Sequence, residues 1–359
     1  MAIDLCLAAQ RSGSMQTCLV LRRKRNTEDA RVQALVAQGL DVRVVPGWSH
    51  LATIWALYKL ARTYRPDILV AHGFSEHLWG RYAGLLAKVP HLVHVEHNSR
   101  ERYSRWRLWQ ALWLTRHTAA IVGVSEGVRF ALVERGFPAE RCLSIPNGIA
   151  LERFQAADLL PWTQRTAGVL MASRFARQKD QGTLVKALQL LRHRGRQAPL
   201  ALAGSGKARL IRKTQRQVQA AGLEHQVQFL GQVQDLPKTL MQHQIFVLST
   251  HYEGMPLALI EAMACGCACI GSDVVGVREV IEHGRNGLLV PEGDAQALAD
   301  AIEQLLANPA WAEQLGQAAR QQVQEKFGSA LMHARYTALM QSLSAQPGDR
   351  ATIEGHHSI

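Results

Sequence analysis

The chain of 359 residues is 47% hydrophobic and 19% charged, a balance that excludes a disordered chain and suits two α/β domains with full cores. It holds no run of about 18 apolar residues, which excludes an apolar helix spanning a bilayer; Asp4 interrupts the apolar Met1–Ala9 and no basic segment precedes it, so no cleavable leader is expected and a cytoplasmic protein is. The net charge is +12 and uneven: residues 1–120 hold 17 Lys/Arg against 8 Asp/Glu, residues 121–359 hold 24 against 21, so the first part should meet a nucleic acid, a phospholipid surface or a phosphorylated substrate.

The start, AIDLCLAAQRSG, reads as the back half of a helix with Gly13 as its stop. A doubly wound domain opens instead with a strand, a Gly-rich turn and a helix, and parallel strands need a crossover, so that first strand and its loop are expected to be missing. Strands follow at QTCLVL (17–22), DVRVVP (41–46), DILVAH (67–72), HLVHVE (91–96), AAIVGV (119–124) and CLSIPN (142–147). Helices fill the gaps, one over 50–64 with Leu51, Ile54, Leu57, Tyr58 and Leu60 on an apolar stripe. A turn-rich stretch near 150–165 marks a domain boundary. The rhythm then repeats at GVLMAS (168–173), LALAGS (200–205), VQFLG (227–231), IFVLST (245–250), ACIGS (268–272) and GLLVP (287–291). Residues 294–344 read as three helices and the polar tail as disordered. The expected division is an acceptor domain over 1–150, a nucleotide-sugar domain over 151–328, a helix over 329–345 packing back towards the first domain, and a disordered tail over 346–359. Cys265, Cys267 and Cys269 alternate without the spacing of a zinc site, and read as small residues entering a buried strand.

Chemistry concentrates in HYEGMPLALIEAMACG, where a strand ends, a loop carries Glu253 and Gly254, and Pro256 opens a helix. The N–H groups of Met255, Leu257 and Ala258 would face outward at the positive helix end, a phosphate cradle that needs no metal. Glu261 lies eight residues beyond Glu253, about two helical turns, on the side of the loop. In ASRFARQKDQG, Arg174 follows a strand and Lys179 precedes a helix, so both cations can reach the carboxyl end of the sheet and stabilise a departing diphosphate. Glu253 and Lys179 are expected to lie on the open side of the site, so their removal should leave the fold intact.

On these residues the chain resembles the group 1 glycosyl transferases, glycosyltransferase family four. The family's pair of glutamates around seven residues matches Glu253-GMPLALI-Glu261, and its arginine–lysine pair matches Arg174 and Lys179. AGSG (203–206), VQFLGQV (227–233), VSEGV (124–128), PNGI (146–149) and GLLVPEGD (287–294) extend the match. The resemblance implies the GT-B fold, two Rossmann-like domains with parallel sheets facing across a cleft, and retention at the anomeric carbon by front-face substitution. It places Arg174 and Lys179 on the leaving nucleoside diphosphate, Glu253 on the donor sugar and Glu261 on the ribose, with Gly204, Ser205 and Gly231 bordering the base. It puts His97, after a strand, near the reacting sugar. No cofactor and no metal are implied; a UDP- or GDP-linked sugar is the substrate.

The acceptor side is read from His72 and from NSRERYSRWRLWQALWLTRHT, where Arg100, Arg102, Arg105, Arg107 and Arg116 accompany Tyr103, Trp106, Trp109 and Trp113. The tryptophans fall on one helical face, a pattern for an anionic membrane surface or for packing on the sheet. A glycan or polyprenyl-linked acceptor in polysaccharide or glycolipid synthesis would suit peripheral attachment. No nucleic-acid module occurs, so no nucleic-acid partner is expected, and random oligonucleotide binding would separate that rival. Two further rivals keep the fold: an impaired homologue, and a nucleotide-sugar epimerase or a phosphorylase, the last of which needs a lysine-held pyridoxal that absorbance would reveal.

Overall fold

A computed structural model describes residues 1–23, 29–73, 76–100, 103–155 and 159–345. Arg102 and the tail expected to be disordered, 346–359, lie outside them. Contacts divide the chain into two units: Met1–Pro146 with the segment from Met332 onward, and Asn147–Leu331.

The first unit opens with helix α1 (Ala2–Ser12), which stops at Gly13, held left-handed at φ 61°. Then come β1 (Cys18–Arg22), α2 (Asp29–Ala37), β2 (Asp41–Val45), α3 (His50–Tyr64), β3 (Ile68–His72), α4 (Glu76–Leu86), β4 (His91–Glu96), α5 (Arg105–Trp113), β5 (Ala120–Gly123), α6 (Glu126–Glu134) and β6 (Cys142–Ser144). Among the described residues these strands form two parallel sheets, β1-β2 and β3-β4-β5-β6. β4, paired on both edges, is buried throughout, whereas β3, paired on one, is mostly half-buried despite an apolar sequence. Helix α3 spans the expected residues, and Ile54, Leu57, Tyr58 and Leu60 of its stripe are half-buried, but Leu51 is 78% exposed, and Thr53 and Ala61 are the buried positions. Ser49 caps this helix and the Thr53 hydroxyl donates to Pro46 O, which turns that face inward.

The second unit holds β7 (Thr166–Ala172), α7 (Gln181–His193), β8 (Leu200–Ala203), α8 (Ala208–Ala220), β9 (Val227–Gly231), α9 (Leu236–Met241), β10 (His243–Leu248), α10 (Leu257–Ala264), β11 (Ala268–Ser272), α11 (Val275–Arg278), β12 (Leu288–Val290), α12 (Ala295–Ala307) and α13 (Pro309–Lys326). A last helix, α14 (Ser329–Ser344), follows, and its residues from Met332 belong to the first unit. One parallel sheet runs β12-β11-β10-β7-β8-β9 around a core that includes Val169, Met171, Leu184, Leu202, Val247 and Ile270. Cys265, Cys267 and Cys269 are fully buried with their thiol pKa values raised by burial, as apolar residues entering β11 would be. Both units are Rossmann-like and the architecture is the GT-B fold. Among the described residues no helix is long and apolar enough to cross a membrane.

Candidate functional site

In the second unit the chain winds outward from β7 through β8 to β9, then returns to the other side through β10 to β12. The sheet therefore has its switch point between β7 and β10, and ligands of such sheets bind beyond the strand ends there. The loop after β7 carries Arg174 and Lys179, and the loop after β10 carries Glu253. The two loops are laced together: His251 N–H donates to Gln178 O (2.8 Å), the Gln178 amide to Tyr252 O (2.5 Å) and Ser249 Oγ to Asp180 O (2.9 Å). At their junction Lys179 Nζ meets Glu253 Oε1 at 2.5 Å, and the Thr250 hydroxyl lies 2.8 Å from the same oxygen. Neither charge is on the open side that the sequence suggests; the side chains are 15% and 7% exposed, because lacing the loops closes water away from the pair. Arg174, in the same loop as Lys179, is exposed.

Glycines allow the close approach of backbone around this point. A Cβ at Gly276 in α11 would stand 2.5 Å from Gly254 O and 2.8 Å from Glu253 O. At Gly204, with φ 132°, it would meet Ser173 O at 2.0 Å, just before Arg174. Gly204 N–H donates to the carbonyl of Gly231, itself left-handed at φ 64°, while Ser205 and Gly231 reach the surface.

Pro256 is the residue before α10 rather than its first helical position, since its backbone (φ −82°, ψ 89°) is not helical. The spacing from Glu253 to Glu261 is therefore part loop and part helix, not two turns. Of the residues expected to form the N–H cradle, Met255 is buried, Leu257 exposed and Ala258 half-buried; Pro256 is buried. Pro256 in the N-cap position offers this helix end no side-chain acceptor. Glu261 is half-buried within α10, and burial raises its pKa against the opposing charge of Arg153.

In the first unit β3 and β4 end side by side, which brings His72 Nδ1 to 3.3 Å from His97 Nε2 with the rings stacked. Burial, and each other's proximity for His72, lower both pKa values, that of His72 to about 3, so both rings are neutral near pH 7. Beneath them lies a cluster that the sequence reading passed over: His77, Arg81, His94 and Glu96 are all buried, with Tyr103 against them. Among the described residues His77, His94 and Glu96 are close enough to share a cation. Arg81 Nη2 stands 2.8 Å from His77 Nδ1, however, and a guanidinium only donates, so the ring's accepting nitrogen is already used beside a fixed positive charge.

The tryptophan stripe divides. Trp106 and Trp109, 66% and 55% exposed, stack on each other, whereas Trp113 packs against Tyr82 and His117. Helix α5 starts only at Arg105, capped by Ser104, so Arg100 and Tyr103 precede it; Arg105 is exposed and Arg107 half-buried.

Two family profiles match this chain: Glycosyltransferase Family 4 over residues 1–153 and Glycosyl transferases group 1 over residues 160–322. The chain belongs to glycosyltransferase family four. Among relatives, the amylovoran biosynthesis glycosyltransferase AmsK of Erwinia amylovora is 29% identical over 221 residues, covering 59% of this chain and 54% of that protein. The UDP-Gal:alpha-D-GlcNAc-diphosphoundecaprenol alpha-1,3-galactosyltransferase of Escherichia coli is 24% identical over 268 residues, 70% of this chain and 69% of that protein. The alignment thus spans about half the length of the first relative. The fold is similar to that of Anabaena Alr3699/HepE in complex with UDP-glucose: TM-score 0.82, 21% identity, 95% of this chain and 96% of that one.

Within this family-four chain the sequence signals for the second unit were contiguous motifs. The buried cluster left a weaker one: His94 and Glu96 are two apart in a strand, hence on one face, a polar pair where an apolar residue is usual. Arg81 within helix α4 was the second such signal.

Proposed function

We propose that this chain is a retaining, metal-independent glycosyltransferase that moves a sugar from a UDP- or GDP-linked donor to a glycan or polyprenyl-linked saccharide. The observation that carries the reading is the Lys179–Glu253 pair at the switch point of the second unit, with Arg174 exposed in the same loop as Lys179 and the start of α10 following. Arg174, Lys179 and the α10 N–H groups supply positive charge to a leaving diphosphate, which is the role a divalent ion fills elsewhere. Glu253, oriented by Lys179 and Thr250, accepts from the donor sugar's hydroxyls, and Glu261 from the ribose. In the first unit neutral His97, backed by His72, is read as the histidine that serves the reacting sugar. With Glu253 committed to an ammonium partner rather than free as a nucleophile, front-face substitution suits the site better than a double displacement. The UDP-glucose complex of the similar Anabaena structure and the diphosphoundecaprenol acceptor in the name of the Escherichia coli relative support a nucleotide-sugar donor and a lipid-linked acceptor. The basic charge of residues 1–120 and the exposed Trp106 and Trp109 support peripheral attachment to an anionic membrane.

Calorimetry with UDP and with GDP in excess chelator tests the donor site. Binding should persist with chelator and weaken in Lys179→Ala; binding that vanishes with chelator would overturn the metal-free reading.

A further inference from the structure

We propose that Glu96 is the positioning residue of the His97 site: a buried carboxylate that holds His97, Asn98 and Tyr103, with its countercharge, Arg81, delivered through His77 and Tyr103. The proposal rests on the reading of His97 as a residue of the reaction site.

Glu96 ends β4, and its Oε1 accepts the backbone N–H of His97 at 2.9 Å. The Asn98 N–H bonds to the same carboxylate, and Tyr103 Oη donates to Oε2 at 3.0 Å. One carboxylate thus ties His97 and Asn98, just after β4, to Tyr103, just before α5. Arg81 places Nη2 on His77 Nδ1 (2.8 Å) and Nη1 on Thr118 Oγ1 (3.1 Å), while Thr118 Oγ1 donates to Leu114 O (2.7 Å). Since Nδ1 of His77 accepts, its proton is on Nε2, which lies 3.0 Å from Tyr103 Oη. The hydroxyl must then send its own proton to Glu96. Every hydrogen in the series Arg81, His77, Tyr103, Glu96 points from the cation towards the anion, a directed chain across a buried region where an unpaired charge would be costly. Arg81 and Glu96 are both fully buried.

The direction of donation makes the proposal specific to the carboxylate. A glutamine at position 96 would either aim its amide N–H at Tyr103, whose hydroxyl already accepts from His77 and would lose its acceptor, or aim it at the N–H of His97. Tyr103→Phe breaks the chain in a different place. In the double variant the clash at Tyr103 is gone, so its effect should be smaller than the product of the two single effects. Among the described residues, the charged or titratable groups that face His97 are Glu96, His72, His94 and the amino group of Met1, and of these Glu96 alone favours the protonated ring. Loss of its charge should move the His97 titration to lower pH.

The experiment uses the whole chain as wild type, Glu96→Gln, Glu96→Asp, Tyr103→Phe and the double variant Glu96→Gln/Tyr103→Phe. UDP affinity, kcat and the KM for donor are measured, with histidine-labelled NMR spectra assigned by a His97→Gln control. In Glu96→Gln and in Tyr103→Phe kcat should fall by about tenfold or more while UDP affinity and donor KM stay within about twofold, Glu96→Asp showing only part of the loss. The His97 titration should move down in Glu96→Gln. If Glu96→Gln does not fold, Tyr103→Phe, at a half-buried side chain, carries the same expectation. An unchanged His97 signal with kcat within about twofold in the folded variants would overturn the proposal, leaving the cluster purely structural. Should the wild type bind UDP yet transfer to no acceptor, the NMR shift still decides the positioning role, and only the reading of the reaction fails.

Discussion

Lys179 and Glu253 are 74 positions apart and nearly closed from water, so each is the other's main compensation. Removing one partner leaves the other charge buried, a defect that costs about 3–5 kcal/mol in comparable pairs. Glu253→Ala and Lys179→Ala should therefore each lower the melting temperature, in contrast to the expectation from sequence that the fold would be indifferent. Each should also cost on the order of 10²–10³ in turnover, the scale of one preorganised electrostatic group. The double variant Lys179→Met/Glu253→Leu separates the two effects: it should regain most of the melting temperature and none of the turnover. Recovery of turnover in that variant would remove the pair from the reaction site.

Helix α5 shows how one element can satisfy two demands. Its buried side holds Ala111, with Trp113 and the Tyr82–Gln110 hydrogen bond tying it to α4, while Trp106 and Trp109 lie stacked in solvent. Exposed tryptophans beside Arg105 and Arg107 should hold the chain on anionic vesicles, with binding that weakens as salt rises. Trp106→Ala/Trp109→Ala should lose vesicle co-sedimentation and leave stability within about 0.5 kcal/mol, since neither ring supports the core. Arg105→Gln/Arg107→Gln should lose the anionic preference first. Sedimentation equal to wild type in both variants would make a soluble acceptor the better reading.

At the scale of the molecule, the first unit gathers four histidines, His72, His77, His94 and His97, whose pKa values burial lowers below the ordinary 6.5. They stay neutral in the fold, and the unfolded chain takes up their protons first. Their contribution is thus complete above about pH 6.5 and is lost as pH falls towards the folded values, at up to about 1.4 kcal/mol per pH unit for each ring. The raised carboxyls Glu96 and Glu261 work in the opposite sense, losing stability as pH rises through their folded values, and soften the drop only in the acid range. Urea midpoints should fall steeply between pH 7 and pH 5, and less so in His72→Gln. Equal midpoints at the two pH values would mean that these rings are protonated in the native state.

Much of this was legible without coordinates, for local reasons. Runs such as HLVHVE and ACIGS must be strands of parallel sheets, Gly13 must end a helix, and the spacing of Arg174, Lys179, Glu253 and Glu261 is carried by contiguous motifs that define the family. What the sequence could not settle is which side chains meet across long separations. The start of α10 after Pro256, the outward turn of Leu51, the parting of Trp113 from Trp106 and Trp109, and the closure of Lys179 on Glu253 each depend on neighbours from other elements. The Arg81–His77–Tyr103–Glu96 chain is the extreme case, because strand β4, helix α4 and the segment before α5 each supply polar groups that look solvated singly. Periodicity assigns an element and a face; only packing decides what that face touches, and burial then turns an ordinary histidine or glutamate into a charge that must find its partner.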